Sequence, residues 1–274
     1  MRVWLNGRFL DESDALVPVT DRGFQYGDGC FETVELRSGV PFLWPEHWRR
    51  FQQALHELGL AWEFPEAVIL QIMTELVTQN RLPSALVRMT CTRGPGPRGY
   101  STRGANTPTR LIMAFPAPAR ESTPKRWTAH VSPYRIPVGF GPGSLKSTSK
   151  LLQILAKKEA EIHGADEALI LNTRDEIAEF TNANFFWIQR DQIFTPPLES
   201  GCLPGVTRDW AMAQARAQGI EVIERNARLC DVLEADGAFA TCTGPGIVEI
   251  QRLGAHPFPP HPLIHPLWRL YHKN

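Results

Sequence analysis

Residues 21–33 read Asp-Arg-Gly-Phe-Gln-Tyr-Gly-Asp-Gly-Cys-Phe-Glu-Thr, and this stretch carries the strongest structural signal in the N-terminal half of the chain. Glycine occupies three of its first nine positions, which is typical of a segment that turns tightly or lies against another backbone. Residues 31–36 are rich in apolar and β-branched side chains, and Ser38-Gly39 follows them as a turn. The pattern therefore predicts a glycine-punctuated loop that leads into a β-strand.

On either side of this stretch the N-terminal half alternates between strand and helix signals. Asn6-Gly7 lies between two short apolar runs and predicts a β-hairpin. Pro45 suits the first turn of a helix, because proline lacks the N–H that this turn leaves unpaired, and apolar residues recur after it at helical spacing. We expect a second helix at about residues 65–79 and strands at about 85–92 and 111–115.

The C-terminal half has strands that do not alternate strictly with helices. We expect strands at about residues 127–131, 167–171, 177–180 and 185–188, and helices at about 149–163 and 206–218, each closed by a glycine. The tail at 256–266 is so rich in proline that we predict no regular structure there. The proline-rich segment 116–124 has the composition of a linker. The chain is therefore classed as α+β.

Composition excludes several classes of protein. The chain has 274 residues, 29 basic and 29 acidic side chains, no net charge and a pI of about 7.1. A nucleic-acid-binding protein normally shows a basic excess, and no apolar run approaches the roughly 20 residues of a membrane span, so we expect neither partner. The five cysteines form no CxxC pair, and the first residues become polar too soon for a signal peptide. These features indicate a reduced, cytoplasmic protein.

The loop that follows the strand at 85–92 contains Gly94-Pro95-Gly96-Pro97-Arg98-Gly99, which matches the GxGxxG pattern. A dinucleotide site needs a helix to begin there and offer backbone N–H groups, whereas proline has none and more loop follows. The motif therefore does not indicate a nicotinamide or flavin site. Arg98 either binds a substrate carboxylate through its guanidinium or is an ordinary exposed arginine, and this segment alone leaves both interpretations open.

Two charged residues have both a functional and a structural interpretation. Lys146 follows the glycine-rich segment 139–145, where it is either a partly buried amine nucleophile or an exposed lysine near a helix start. Glu179 lies within the apolar run Ile177-Ala178-Glu179-Phe180, where it is either a functional charge or part of the solvent-facing side of a strand. The histidines at 256, 261 and 265 lack metal-site spacing, so we predict no metal site.

Two segments have the chemistry of a phosphate site. Leu203-Pro204-Gly205-Val206-Thr207 opens a predicted helix, so its unpaired N–H groups and the Thr207 hydroxyl can bind an anion. Thr241-Cys242-Thr243-Gly244-Pro245-Gly246 is a turn of small residues that adds hydroxyl and backbone donors. Each signal is weak alone, because such turns are common.

Taken together and in this order, these segments resemble the fold-type IV enzymes that use pyridoxal phosphate. That family contains branched-chain and D-amino-acid aminotransferases and 4-amino-4-deoxychorismate lyase. The resemblance runs from Asn6-Gly7 to about Ile250. It rests above all on residues 21–33, on Gly164-Ala165-Asp166-Glu167-Ala168-Leu169 and on residues 179–185.

The resemblance implies a role for individual residues. Lys146 matches the lysine that carries the cofactor covalently and acts in catalysis, and Glu179 matches the carboxylate that faces the pyridine nitrogen. Contacts with the cofactor phosphate are implied for Arg50, Val206, Thr207 and Thr243, and contacts with the substrate for Phe31, Arg98 and Tyr100. The chemistry agrees, because a dianionic phosphate favours an arginine and a helix N-terminus.

The resemblance also implies an architecture and a partner. We expect an N-terminal α+β domain at 1–116, a linker at 117–124 and a larger barrel-like, cofactor-binding domain at 125–274. Members of the family form homodimers with each active site at the subunit interface, and the loop around Arg98 reaches across from the neighbour. The ligands expected are pyridoxal 5'-phosphate and a small substrate that carries an amino group and a carboxylate.

Within the family, the segment 93–101 discriminates best. Arginine followed by Gly-Tyr-Ser resembles the lyase, whereas D-amino-acid aminotransferases carry histidine at the Tyr100 position and tyrosine at the Phe31 position. Branched-chain enzymes carry tyrosine where Leu151 stands. Glu32 and Cys242 instead resemble the aminotransferases. The sequence therefore favours 4-amino-4-deoxychorismate lyase of folate biosynthesis, with an aminotransferase for D- or branched-chain amino acids and a 2-oxo acid acceptor as the alternative.

Two further hypotheses come from other classes of protein. A non-catalytic scaffold would not need Lys146, Glu179 and Arg50, and all three are present. An NAD-dependent oxidoreductase would need a glycine loop without proline. The colour of the purified protein separates these classes, because a lysine-bound pyridoxal cofactor absorbs visible light at about 400–430 nm and NAD does not.

Overall fold

The computed structural model describes residues 1–139 and 144–273, and its contacts divide the chain into two compact units. Unit 1 comprises residues 1–118 together with Leu145–Lys150, and unit 2 comprises 119–144 and 151–274. The predicted domain division had placed Lys146 in the second domain. Its segment is grouped with unit 1 because it pairs with a strand there. The domain boundaries themselves stay a prediction.

Unit 1 is a six-stranded sheet with helices on one face. The strand order is β2-β1-β6-β5-β3-β4, and the paired strands are antiparallel. Its strands are β1 (Arg2–Leu5), β2 (Arg8–Asp11), β3 (Gly29–Arg37), β4 (Val40–Pro41), β5 (Ser84–Thr92) and β6 (Thr109–Pro116). Its helices are α1 (Arg22–Tyr26), α2 (Trp44–Leu58) and α3 (Glu66–Gln79).

The core of unit 1 lies between this sheet and α2 and α3. Alternate side chains of β5 are buried, namely Ala85, Val87, Met89 and Cys91, which is the period of a strand with one covered face. Phe51 of α2 and Met73 of α3 are among the side chains that pack on that face. The predicted hairpin, both helices and the strands are confirmed.

The glycine-punctuated stretch at 21–29 is organised around Asp21, a carboxylate with no exposed surface. Asp21 caps α1 by accepting from Gly23 N–H at 2.8 Å, and it also accepts from the hydroxyls of Thr92 at 2.9 Å and Thr109 at 2.6 Å. Those threonines lie on β5 and β6, so one carboxylate joins α1 to two strands. A Cβ at Gly23 would clash with the Thr92 side chain, which explains why this position is occupied by glycine.

Unit 2 is built around a nine-stranded sheet that closes on itself. β9 pairs with both β8 and β10, so the strands β10, β13, β14, β7, β8 and β9 form a ring. Its strands are β7 (Arg126–Ile136), β8 (Glu167–Asn172), β9 (Ile177–Phe180), β10 (Asn184–Gln189), β11 (Gln192–Thr195), β12 (Val222–Glu224), β13 (Gly237–Cys242), β14 (Gly246–Leu253) and β15 (His256–Pro257). Its helices are α4 (Leu151–Ile162), α5 (Val206–Ala217), α6 (Leu229–Leu233) and α7 (Ile264–Lys273). The predicted α+β class with a barrel-like C-terminal part is confirmed.

The prediction that residues 256–266 lack regular structure is wrong. β15 begins at His256, and α7 begins at Ile264. Pro266 falls in the first turn of α7, where its missing N–H breaks no helical hydrogen bond. Ile264, Leu267, Trp268 and Tyr271 are buried at helical spacing, and this pattern decides the structure.

Most of the glycine-rich segment before Lys146, residues 140–143, lies outside the described residues. Among the helices described for 1–139 and 144–273, none is long and apolar enough to cross a membrane.

The network around Asp21 gives a test of the fold. Asp21→Ala removes a helix cap and leaves the buried Thr109 hydroxyl and the partly buried Thr92 hydroxyl without their acceptor, so we expect the free energy of unfolding to fall by about 3 kcal/mol. Asp14→Ala is the control, because Asp14 is exposed, and its effect should stay within about 0.5 kcal/mol. Urea titration followed by tryptophan fluorescence measures both, and equal effects would contradict the role assigned to Asp21.

Candidate active site

The segment that carries Lys146 is bound to the start of β3 by backbone hydrogen bonds. Phe31 N–H donates to the Lys146 carbonyl at 2.9 Å, and Thr148 N–H donates to the Gly29 carbonyl at 2.9 Å. The Thr148 hydroxyl also donates to the Gly27 carbonyl at 2.8 Å. Residues 146–148 therefore lie along β3 as a short extra strand, and the main chain at Lys146 is fixed.

Two glycines of the 21–33 stretch make this approach possible. Gly27 has a φ of +68°, and a Cβ there would collide with Ser149. A Cβ at Gly29 would lie 2.6 Å from the Cys91 carbonyl oxygen on β5 and 3.3 Å from the Thr148 hydroxyl. The glycines are thus required by close packing on both sides of β3.

The Phe31 ring lies beside two cations. Lys146 Nζ is 4.9 Å from the ring centroid, and Arg88 Cζ is 3.6 Å from it. Partial burial lowers the pKa of Arg88, and Arg88 makes no hydrogen bond or ion pair with any described residue. The predicted site residues Phe31 and Lys146 are therefore in contact, and the same ring contacts a guanidinium that can donate to a carboxylate.

Sequence reasoning missed Arg88, although a signal was available. On β5 the residues 85, 87, 89 and 91 are buried against the helices, so Arg88 projects from the opposite face. Its strand neighbour across the sheet is Thr33, two residues after Phe31. The register between β3 and β5 was needed to place Arg88 beside Phe31, and the sequence alone does not give that register.

Arg50, the predicted phosphate ligand, lies on α2 and forms a two-bonded ion pair with Glu32. Its Nε and Nη2 donate to the two carboxylate oxygens at 2.8 and 2.7 Å. His47 Nδ1 lies 3.1 Å from the same carboxylate. Glu32 is completely buried, and this pairing supplies the hydrogen bonds that a buried carboxylate requires.

Glu32, Arg50 and His47 form a trio of charged and polar side chains, called the Glu32 trio. The pKa values of Glu32 and His47 follow from burial and from the neighbouring charges. Burial alone would raise the pKa of Glu32, but the charge of Arg50 and the hydrogen bonds from His47 and Arg50 hold it well below its usual range. Burial, with the charges of Arg50 and Lys146, lowers the pKa of His47 despite the nearby carboxylate. At neutral pH His47 is therefore uncharged, and we assign the bond to Glu32 as donation from Nδ1–H.

In unit 2, Glu179 lies on β9 and is mostly buried. Its Oε2 accepts from Leu203 N–H at 2.8 Å, which orients the carboxylate. Asn184 on β10 pairs with Glu179 on one side and with Thr241 of β13 on the other. Closure of the sheet therefore brings Glu179, Asn184 and Thr241 into one row, although they are far apart in sequence.

The first turn of α5 has backbone N–H groups that no side chain caps. Val206 and Thr207 are its first residues, both are buried, and no side chain caps the helix at Gly205. Asn184 Nδ2 donates to the Leu203 carbonyl at 2.8 Å, and a Cβ at Gly205 would collide with Asn184. Asn184 thus fixes the chain that leads into α5, a role the sequence did not single out.

Thr243 lies in the turn between β13 and β14, as predicted. Gly244 in this turn and Gly246 at the start of β14 have φ values of +95° and +71°, which favour glycine. Nearby, the Thr241 hydroxyl is buried and has no hydrogen-bond partner among the described residues. A buried hydroxyl without a partner is costly, so this atom fits a bound polar group.

The remaining predicted residues, Arg98 and Tyr100, lie on the loop after β5. Both are exposed, and Arg98 makes no hydrogen bond or ion pair within the part of the chain that the structure describes. The Tyr100 ring lies 5.8 Å from that of Tyr26. Their proximity to a substrate is not tested, so their role stays a prediction.

The closed barrel, the tethered lysine and the anion-binding donors define a fold-type IV enzyme, a class that uses pyridoxal 5'-phosphate. Residues 29–253 match the family model described as "Amino-transferase class IV". The chain therefore belongs to the class IV aminotransferase family.

Relatives of both reaction types are similar to this chain. A putative branched-chain-amino-acid aminotransferase of Methanocaldococcus jannaschii is 34% identical, with 91% of this chain and 87% of that protein covered. An aminodeoxychorismate lyase of Bacillus subtilis is 32% identical, with 87% and 82% covered. The family identifies the chain as a pyridoxal-phosphate enzyme, either an aminodeoxychorismate lyase or a class IV aminotransferase.

The similar solved structures also include both aminotransferases and lyases. A branched-chain aminotransferase of Thermoproteus uzoniensis has a TM-score of 0.91 at 26% identity, with 100% of this chain and 94% of that chain covered. A putative 4-amino-4-deoxychorismate lyase of Legionella pneumophila has a TM-score of 0.87 at 27% identity, with 96% and 97% covered. Similarity of fold therefore does not choose between the two reactions.

The Glu32 trio gives a prediction about pH. Glu32→Gln leaves the partly buried Arg50 without its anion, so we expect the free energy of unfolding at pH 7 to fall by about 3 kcal/mol. The folded pKa of Glu32 is lowered, so its contribution is complete above the ordinary glutamate pKa of about 4.3 and is lost as the pH falls below it, by about 1.4 kcal/mol per pH unit.

Chemical unfolding of both proteins between pH 3 and pH 7 measures this difference. The exposed Glu57→Gln is the matched control, and it should change stability little at any pH. A destabilisation by Glu32→Gln that is the same at pH 3 and pH 7 would refute a lowered pKa for this carboxylate.

The backbone hydrogen bonds that hold the Lys146 segment on β3 give a prediction about the cofactor. We expect Lys146→Ala to abolish the visible absorbance of the lysine-bound cofactor and all turnover, because Lys146 supplies the amine that the backbone bonds to β3 hold in place. Lys150→Ala, in the same segment, should retain both. Borohydride reduction followed by peptide mapping locates the modified lysine, and modification of Lys150 or Lys125 instead would show that the assignment is wrong.

Proposed function

We propose that this enzyme is a 4-amino-4-deoxychorismate lyase, which converts its substrate into 4-aminobenzoate and pyruvate in folate biosynthesis. The observation that carries the proposal is the loop Arg98-Gly99-Tyr100-Ser101, in which the exposed Arg98 guanidinium has no partner among the described residues and Gly-Tyr-Ser follows it. Phe31 also lacks the hydroxyl of the D-amino-acid aminotransferase pattern. The lyases among the curated relatives, at 30–32% identity, support this reading.

The cofactor would be held by the residues carried over from the family pattern. Arg50, Val206, Thr207 and Thr243 would bind its phosphate, and Glu179 would face the pyridine nitrogen. The donors present suit that group, since the first turn of α5 has no side-chain cap and the Thr241 hydroxyl has no partner among the described residues. The bond from Leu203 N–H keeps the Glu179 carboxylate oriented for this task.

When bound, the cofactor supplies an electron sink for a carbanion. Lys146 then has two tasks, which are to bind the cofactor and to move a proton as a free amine. In the lyase reaction Lys146 removes the proton from the ring carbon that bears the amino group. The bond between the ring and the enolpyruvyl oxygen breaks, the ring becomes aromatic, and protonation of the released enolpyruvate gives pyruvate.

The second candidate is an aminotransferase for D- or branched-chain amino acids with a 2-oxo acid acceptor. Glu32 favours it, because glutamate at this position is common among the aminotransferases and here it is bound to Arg50 and His47. The relative of 34% identity is named a putative branched-chain-amino-acid aminotransferase, and relatives of 25–29% identity are named D-alanine aminotransferases.

We also infer a homodimer in the cytoplasm, with the active site at the subunit interface. Large apolar side chains lie exposed on unit 1, with Leu16 at 80%, Val19 at 76% and Phe24 at 78% of their full accessible surface. Exposed apolar surface of this kind is typical of a protein–protein interface. The inference of a shared active site rests on the family resemblance.

The reaction is tested by its stoichiometry. Aromatisation drives the lyase reaction and leaves the cofactor unchanged, so we expect many molecules of pyruvate per enzyme from aminodeoxychorismate with no 2-oxo acid present. A lactate-dehydrogenase-coupled assay measures the pyruvate. Lys146→Ala is the control for spontaneous breakdown of the substrate.

The aminotransferase predicts the opposite pattern. A panel of L- and D-amino acids would each bleach the visible band in a single half-reaction, and 2-oxoglutarate would restore it. That result, combined with no pyruvate from aminodeoxychorismate, would reject the lyase in favour of the second candidate.

A further inference from the structure

The loop that carries Arg98 is bound by a buried arginine, Arg22, on α1. Arg22 is 2% exposed, and its guanidinium donates to three backbone carbonyls of that loop. Nη1 donates to Gly99 at 2.7 Å and to Pro97 at 3.4 Å, and Nη2 donates to Tyr100 at 3.3 Å. The carbonyls on both sides of Arg98 are therefore held by one side chain.

The same loop contacts Arg22 and its helix in two further ways. Gly99 N–H donates to the Tyr26 hydroxyl at 3.1 Å, and Tyr26 lies one helical turn after Arg22. A Cβ at Gly96 would lie 2.9 Å from Cδ of Arg22, so the loop packs directly on the arginine stem. The backbone at 96–100 is thus fixed from α1, which belongs to the stretch that organises unit 1.

A single carboxylate, Asp28, keeps Arg22 in place. Arg22 Nε donates to Asp28 Oδ2 at 2.8 Å, and Arg93 Nε donates to the same oxygen at 2.8 Å. Burial would raise the pKa of Asp28, but the hydrogen bonds and charges of Arg93 and Arg22 lower it. The Nη2 atom of Arg93 donates to a different group, the Leu58 carbonyl, at 2.7 Å. The two arginines therefore share an anion but hold different segments.

Arg98 itself is exposed and makes no hydrogen bond or ion pair with the residues described. If this loop were flexible, the enzyme would bind its substrate less tightly, because ordering the loop on binding costs conformational entropy. We propose that Arg22 is a positioning residue, which presents the Arg98 guanidinium in advance to a carboxylate of the substrate. The inference rests on the proposed role of Arg98 in binding that carboxylate.

The chemistry requires arginine at position 22. A guanidinium has five N–H donors in a planar fork, and here they reach a carboxylate on one side and three carbonyls on the other. Lysine keeps the charge beside Asp28 but has only three donors on one atom. Arg22→Lys should therefore release the loop while retaining the ion pair with Asp28.

The test separates substrate binding from chemistry. With aminodeoxychorismate as the probe, we expect Arg22→Lys to raise KM at least about tenfold, to change kcat less than about threefold and to leave the cofactor absorbance intact. Arg93→Lys is the matched control, because its guanidinium shares Asp28 but donates to the Leu58 carbonyl rather than to the carbonyls at 97–100, and its KM should stay near that of the parent. Equal rises of KM in both variants would overturn the proposal.

A double-mutant cycle decides whether Arg22 acts through Arg98. In an Arg98→Ala background, Arg22→Lys should no longer change KM, because no guanidinium remains to be positioned. Additive effects of the two substitutions would reject the proposal. If Arg98→Ala alone leaves KM unchanged, the proposed role of Arg98 fails, and the positioning role fails with it.

The cycle also distinguishes this inference from the proposed reaction. Should the enzyme prove to be an aminotransferase, the same four proteins are assayed with D-alanine or L-leucine and 2-oxoglutarate, which also carry carboxylates. A rise of KM in Arg22→Lys that disappears in the Arg98→Ala background supports the positioning role under either reaction. An effect of Arg98→Ala with none of Arg22→Lys contradicts it while the proposed function stands.

Discussion

The structure of unit 1 depends on one constraint, which is the close contact of β3 with backbone on both of its sides. Residues 146–148 lie against its first residues on one side and β5 lies on the other. Only glycine at 27 and 29 leaves room for this arrangement. As a result the amine-bearing residue Lys146 is attached to a sheet rather than to a free loop, and it lies beside the Phe31 ring, which also contacts Arg88.

Three carboxylates then organise the charged groups of unit 1, and of these Asp21 and Glu32 are fully buried and Asp28 is partly buried. Asp21 joins α1 to the strands β5 and β6, Asp28 joins two arginines, and Glu32 joins Arg50 to His47. Each is satisfied by several donors, which offsets the cost of burying a charge. Two arginines important to the proposed function are thereby oriented, Arg50 directly and Arg98 through the loop that Arg22 holds.

Unit 2 uses a different principle, the closure of a sheet. Because β9 pairs with β10 as well as β8, Glu179 lies in one row with Asn184 and Thr241. Asn184 in turn supports the chain before α5, whose first turn offers uncapped N–H groups. A carboxylate and a set of anion-binding donors are thus positioned by the same strands, which agrees with the pyridoxal-phosphate chemistry of the family.

The sequence by itself determined the α+β class, the glycine-rich stretch at 21–33, most helices and strands, and the identity of the family. These follow from local periodicity, turn chemistry and motif order, which are all properties of neighbouring residues. Helix α7 was missed because a proline signal outweighed an apolar pattern that begins only two residues before Pro266. The tertiary structure alone decided which strands pair, and therefore that Arg88 lies beside Phe31, that Glu32 binds Arg50, that Asn184 lies next to Glu179 and that Arg22 holds the Arg98 loop. These contacts join residues up to about 80 positions apart, and only long-range register and side-chain packing bring such residues together.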